Sequence, residues 1–151
     1  MPEGAAGAHA PKVILAFDFG ARNIGVACGD TVSRNASPLS GVPARGGEPN
    51  WPLIEAHIRS WRPNRAVVGL PYNADGSESD MTKAARGFAG ELQERFALDV
   101  DLVDERYSSM DAQARLRSER ESGVRRRRVG KADIDAVAAC VILERWFSER
   151  L

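Results

Sequence analysis

Three acids far apart along the chain, Asp18, Glu105 and Asp135, are the side chains whose surroundings suggest chemistry. Asp18 sits near the end of an apolar run, Val13 to Phe19, and an ionised carboxylate in a mostly buried strand is costly unless something positive meets it. It reads as the first ligand of a cation; an Asp pointing outward from an edge strand, or paired with Arg22, is the plainer alternative. Glu105 ends a second apolar stretch. Alternation puts Asp101, Val103 and Glu105 on one face of that strand and Leu102 and Asp104 on the other, so Asp104 and Glu105 cannot both enter one site. Glu105 has the longer reach and is chosen. Asp135 opens an otherwise apolar helix, whose positive start tolerates its charge.

Two carboxylates about 5 Å apart repel by roughly 3 kcal/mol at an effective dielectric of about 20. Three would strain a marginally stable domain, and divalent cations relieve the repulsion. All-oxygen ligands suit Mg²⁺ or Mn²⁺ rather than zinc. Two such ions about 4 Å apart would stabilise both the attacking and the leaving oxygen of a phosphodiester hydrolysis. Other chemistries lack their parts. His9 lies in the leading segment and His57 in a helix, where it reads as a structural residue, so no Ser-His-Asp set is suggested. There is no GxxxxGKS or GxxxxGKT phosphate loop.

The elements that must carry these acids follow from hydrophobic period and turn residues. Residues 1–11, rich in Ala, Gly and Pro, form a flexible leader with neither the basic start nor the apolar run of a signal peptide. Val13 to Phe19 and Ile24 to Cys28 are strands joined by a tight turn; Ala36 to Pro43 is a weaker third, after which GGEPNWP breaks the pattern. Asn50 caps a helix that runs through Pro52 and Ile58 to Trp61, and Pro63 stops it. Ala66 to Leu70 is a continuously apolar parallel strand ending at Pro71. A helix over Ser79 to Phe96 precedes a fifth strand, Leu98 to Val103. Ser108 with Asp111 opens a helix to about Ser118, residues 119–131 form a mobile basic loop, and Asp133 to Phe147 is a buried last helix.

That order predicts one α/β domain over residues 12–151. Its five-stranded mixed sheet has three antiparallel strands and then two parallel ones, with helices on both faces. Ligands of such sheets gather beyond the carboxyl ends of strands where strand order changes, and Asp18, Pro71 and Glu105 lie there.

Size and charge bound the rest. The chain's 151 residues suit one ordinary domain. Its 21 basic and 21 acidic residues cancel, but between Arg115 and Lys131 eight basic residues meet only Glu119 and Glu121, a cluster that could meet a polyanion. Cys28 and Cys140 sit in apolar runs without CxxC spacing and read as reduced core thiols of a cytoplasmic protein. No run approaches the length of a membrane span, so no membrane partner is expected.

The stretches FDFGARNIGVACGD, VVGLPYNADGSES, DERYSS and KADIDAVAACVILE, in that order, resemble four motifs of the YqgF family of RNase H-like nucleases. Members are also described as Holliday junction resolvases and as pre-16S ribosomal RNA nucleases. The resemblance covers the chain from Ile14 to about Phe147. It implies the RNase H-like fold and an acidic triad with magnesium, which transfers onto Asp18, Glu105 and Asp135. It also implies the substrate, the 5′ end of precursor 16S rRNA during ribosome maturation, with ribosomal particles as a further partner. Against AVAACVILE the family's acid falls on Asp135, while Asp133 precedes the helix body and caps it.

Substrate contacts are expected around the acids. Arg22 and Arg106 flank two of them, either as bidentate donors to a scissile phosphate or as salt-bridge partners. Gly69, Pro71 and Asn73 either end a strand or let a nucleic-acid backbone approach closely. Within the Arg125 to Arg128 run, Arg126 and Arg127 either grip phosphates or belong to a solvated loop. A monomer or weak dimer is expected. A resolvase of branched DNA is the alternative enzyme and would need paired sites about a twofold axis. A binding module that does no chemistry is a further alternative, disfavoured because a binder of phosphates has no use for clustered acids. DFGARNIG also resembles the phosphate loop of actin-like ATPases, which need two such domains around the nucleotide.

Overall fold

The computed structural model describes residues 12–106 and 131–151, the side chains of residues 131–133 excepted. The expected leader, the helix over 108–118 and nearly all of the basic loop lie outside the described residues.

The chain opens with β1 (Val13–Asp18), β2 (Asn23–Asp30) and β3 (Ala36–Arg45). These pair antiparallel in sequence, with Asp18 opposite Gly25 and Val13 opposite Asp30. A short strand not expected from the sequence, β4 (Glu48–Pro49), folds back on the end of β3. It forms where GGEPNWP looked like a break, because Gly46 and Gly47 take φ of +58° and +82°, a backbone that turns β3 on itself and suits glycine. β5 (Arg65–Leu70) then returns beside β1, parallel to it, and β6 (Asp99–Asp104) lies parallel to β5. The spatial order is β4-β3-β2-β1-β5-β6, six strands rather than five, with the expected change from antiparallel to parallel falling at β1.

Helices cover both faces. Helix α1 (Trp51–Trp61) is capped by Asn50, whose Oδ1 accepts from Leu53 N–H at 3.3 Å, with Pro52 in the first turn. Helix α2 (Asp80–Phe96) starts from a capping box between Ser79 and Thr82. These two helices pack on one face, where Leu15, Phe17, Ile24, Val26, Ala66 and Val68 meet Trp51, Ile54, Phe88 and Leu92. Helix α3 (Lys131–Arg150) covers the other, where Ile14, Ala16, Ala27, Val67 and Val103 meet Ala139, Ile142, Leu143 and Trp146. The alternation along each strand therefore sorts two cores onto two faces. Cys28 and Cys140 are both buried thiols, one in each core. Because α3 already includes Lys131, Asp133 lies within the helix rather than ahead of it.

Candidate active site

The site forms on the α3 face, beyond the carboxyl ends of β1, β5 and β6. Phe17 and Phe19 flank Asp18, and both pack against Phe88 of α2, with ring centroids 5.7 and 5.0 Å apart. Alternation then turns Asp18 the opposite way, toward α3. Its partner across the ladder, Gly25, has no side chain, and a β-carbon there would collide with the main-chain carbonyl of Asp135. Helix α3 thus rests directly on the β2 backbone beside Asp18. Asp18 and Asp135 line one cleft of about 460 Å³ with Phe19, Gly20, Ala21, Arg22 and Asn23.

Glu105 arrives from the other side. Its N–H donates to Leu70 O at 3.0 Å, which continues the parallel ladder one residue past β6 and brings the side chain in over Gly69. There is room because Gly69 lacks a side chain: a β-carbon would lie 2.5 Å from Glu105 Oε2 and 2.5 Å from Ile142 Cδ1. Buried in this notch, the Glu105 carboxyl is pushed up to about 10, first by desolvation, then by the Asp18 charge and a hydrogen bond with the Asp18 side chain; Arg145 pulls the other way. Glu105 Oε2 is buried without a hydrogen-bond partner.

Asp18 is therefore the common member of two pairings, with Glu105 through a hydrogen bond and with Asp135 across the cleft. Among the described residues no group of three or more His, Cys, Asp or Glu is gathered as a ready-made metal site. A buried carboxylate oxygen with nothing to bond, beside a second carboxylate, is nonetheless the donor set a hard divalent cation takes. A larger cleft of about 580 Å³ lies at the far end of β1, between Val13, Asp30, Pro38 and Trp61. The acid among its described lining residues, Asp30, already accepts bonds from Val32 N–H, Ser33 N–H and Ser33 Oγ.

The remaining expected contacts divide. Arg22 is exposed on the cleft lip. Arg106 is held as a salt-bridge partner: its N–H and guanidinium reach the Asp104 carboxylate at 2.7 to 2.9 Å, and Nη1 donates to Ala74 O at 3.4 Å. Gly69 gives its space to Glu105 rather than leaving it to a nucleic-acid backbone. The Pro71 carbonyl accepts from the buried Thr82 hydroxyl at 2.7 Å, and Asn73 closes a turn, its Nδ2 donating to Ser77 Oγ at 2.9 Å. Arg126 and Arg127 lie outside the described residues. His57 Nε2 donates to Ser40 O at 2.8 Å, a structural role as expected.

Sequence reasoning passed over Gly25 and Arg145. Arg145 had a signal, a cation inside the apolar stretch VILERWF of a buried helix. Gly25 had none beyond its place in a strand, where glycine often marks close approach of another backbone.

A mixed sheet covered by helices on both faces, its pairing changing from antiparallel to parallel at β1, is an RNase H-like fold. Solved structures agree: RuvC of T. thermophilus, in complex with a Holliday junction substrate, superposes with a TM-score of 0.54 at 16% identity over 92% of this chain and 95% of its own. The yeast mitochondrial Holliday junction resolvase Ydc2 gives 0.51 at 11% identity, over 89% and 77%. The chain belongs to the RuvX family, whose model, described as Holliday junction resolvase, matches residues 12–149. A relative from Edwardsiella ictaluri (strain 93-146), named "Putative pre-16S rRNA nuclease", is 44% identical over 93% of this chain and 97% of its own. A relative of the same name from Yersinia pestis (strain Pestoides F) is 43% identical, over 93% and 98%. Among the described residues no helix is long and apolar enough to cross a membrane.

Proposed function

We propose that this chain is a metal-dependent endonuclease that hydrolyses phosphodiester bonds in the 5′-end maturation of precursor 16S rRNA. One observation carries it: two carboxyls bonded to each other at the sheet edge, with one buried oxygen of Glu105 left without a partner. Such a pair, with a buried oxygen left unpartnered, costs stability, and a bound cation would offset that cost. Asp18, Glu105 and Asp135 would hold Mg²⁺ or Mn²⁺, with Asp18 common to both pairings. A divalent cation bound there supplies Lewis acidity to the attacked phosphate and its nucleophile.

The protein's own groups prepare that event. Burial and the neighbouring Asp18 charge hold the Glu105 carboxyl well above the usual carboxylate range, so a cation held there would bind with release of a proton. Arg22, exposed on the cleft lip, supplies donors to the substrate phosphate, and Arg126 and Arg127 extend the grip along the backbone. The substrate is inferred from the names of relatives 43–44% identical over nearly their whole length. With it go a cytoplasmic location, ribosomal particles as partners and a monomeric or weakly dimeric state. The family's description favours a second substrate, the four-way DNA junction.

The test incubates purified protein with precursor 16S rRNA and, separately, with a four-way junction, each with Mg²⁺, Mn²⁺ or EDTA. Cleavage of the rRNA is expected with either metal and not with EDTA, and Asp18→Asn is expected to abolish it while keeping RNA binding within a few-fold. Unchanged turnover in Asp18→Asn removes the acids from the reaction. Cleavage of the junction alone, by a dimer in sedimentation, moves the substrate to branched DNA.

A further inference from the structure

We infer that Arg145 is a positioning residue: it clasps α3 to the end of β6 and so sets where the Glu105 carboxyl points. The inference rests on the metal-dependent nuclease function above. One nitrogen, Nη1, donates to Asp104 O at 3.0 Å and to Arg106 O at 3.1 Å. Those carbonyls belong to the residues on either side of Glu105, whose own N–H is tied to Leu70 O at 3.0 Å. The peptide carrying the acid is therefore held by β5 on one edge and by α3 on the other. Main-chain carbonyls at the end of an edge strand need donors, and a water molecule would satisfy them as well. A water would not couple them to anything. The guanidinium couples them to the helix that also carries Asp135.

That coupling has a geometric consequence. Asp135 and Arg145 stand on one continuous helix, about 15 Å apart at 1.5 Å per residue, with Gly25 pressed against the backbone at the Asp135 end. Gly25 fixes the helix against β2, and Arg145 fixes it against β6. The two acids contributed from outside β1 are thus held on one rigid body relative to Asp18.

The test compares Arg145→Ala with Arg65→Ala, which deletes an ion pair to Asp101 at 3.0 Å at the opposite end of β6. Mn²⁺ affinity is read by calorimetry on the full-length protein, melting temperature is read in EDTA, and kcat and KM are read on precursor 16S rRNA. Arg145→Ala is expected to lose about 10- to 100-fold in Mn²⁺ affinity and in kcat, with KM within about twofold. Arg65→Ala is expected to lower the melting temperature while leaving both near wild type. If Arg145→Ala matches Arg65→Ala in all readouts, the residue is structural and the inference fails. Arg145→Met, which keeps the aliphatic stem and removes every donor, carries the test should the alanine variant not fold; a change of twofold or less in Mn²⁺ affinity and kcat there overturns the inference. The reading beneath it fails separately, when wild-type protein binds no Mn²⁺ or Asp18→Asn cleaves normally.

Discussion

The carboxyl of Glu105 fills the volume that a side chain at Gly69 would need: a β-carbon at Gly69 would stand 2.5 Å from Glu105 Oε2. Glycine at this point of a buried strand costs backbone entropy and packing, and what it returns is a notch for an acid. Gly69→Ala is expected to push Glu105 and Ile142 aside, costing about 1–3 kcal/mol of stability by overpacking. Because the displaced group is one of the proposed ligands, cleavage should fall further than stability does, by 10-fold or more. Denaturant unfolding and single-turnover cleavage, measured on the same preparation, check this.

Gly25 presents the harder case. Its missing β-carbon faces the main chain of Asp135, which has no rotamer with which to give way. Gly25→Ala must move α3 off the sheet, so a loss above about 3 kcal/mol, or failure to fold, is expected. A melting temperature within a few degrees of wild type would show that the helix sits less tightly on β2 than described.

The protonation of Glu105 makes the cation-free protein sensitive to alkali. Its carboxyl is pushed up to about 10 from an ordinary value of 4.5, so across that window the folded state binds more protons than the unfolded state. Stability then falls as pH rises, by at most about 1.4 kcal/mol per pH unit. For a chain of this size that is about 3–5 °C of melting temperature per unit. Calorimetric scans in EDTA between pH 5 and pH 9 should show the decline, Glu105→Gln should flatten it, and Mn²⁺ should raise the melting temperature most at the alkaline end.

Arg22 offers a test of the cleft without touching the acids. It is exposed on the lip shared by Asp18 and Asp135. Arg22→Ala should weaken RNA binding and reduce the slope of log affinity against log salt by about 1, leaving kcat near wild type. Filter binding across a salt series measures it, and an unchanged slope would remove Arg22 from the substrate contacts.

Much of this protein is written locally. The apolar runs of β1, β2 and β5, the caps at Asn50 and Ser79 and the stop at Pro63 each depend on neighbours a few residues away, so the expected strands, the helices opened at Asn50 and Ser79 and the parallel switch at β1 appear in the fold. Period-two alternation also puts Glu105 and Asp104 on opposite faces of their strand. Small departures have local causes, such as β4, which needs two consecutive glycines in a left-handed backbone.

The convergence of the acids was not local. Which carboxyls touch depends on how closely α3 approaches β2, and that is set by the absence of side chains at Gly25 and Gly69 together with a clasp from Arg145. Chain positions 18, 25, 69, 105, 135 and 145 become one neighbourhood only when the sheet closes under the helix. Sequence determined the residues that could carry charge and the strand faces they occupy. Tertiary packing alone decided that Asp18 and Glu105 share a hydrogen bond while Asp135 stands across the cleft, because contact between distant segments depends on the volume left between backbones, a quantity no single stretch of chain contains.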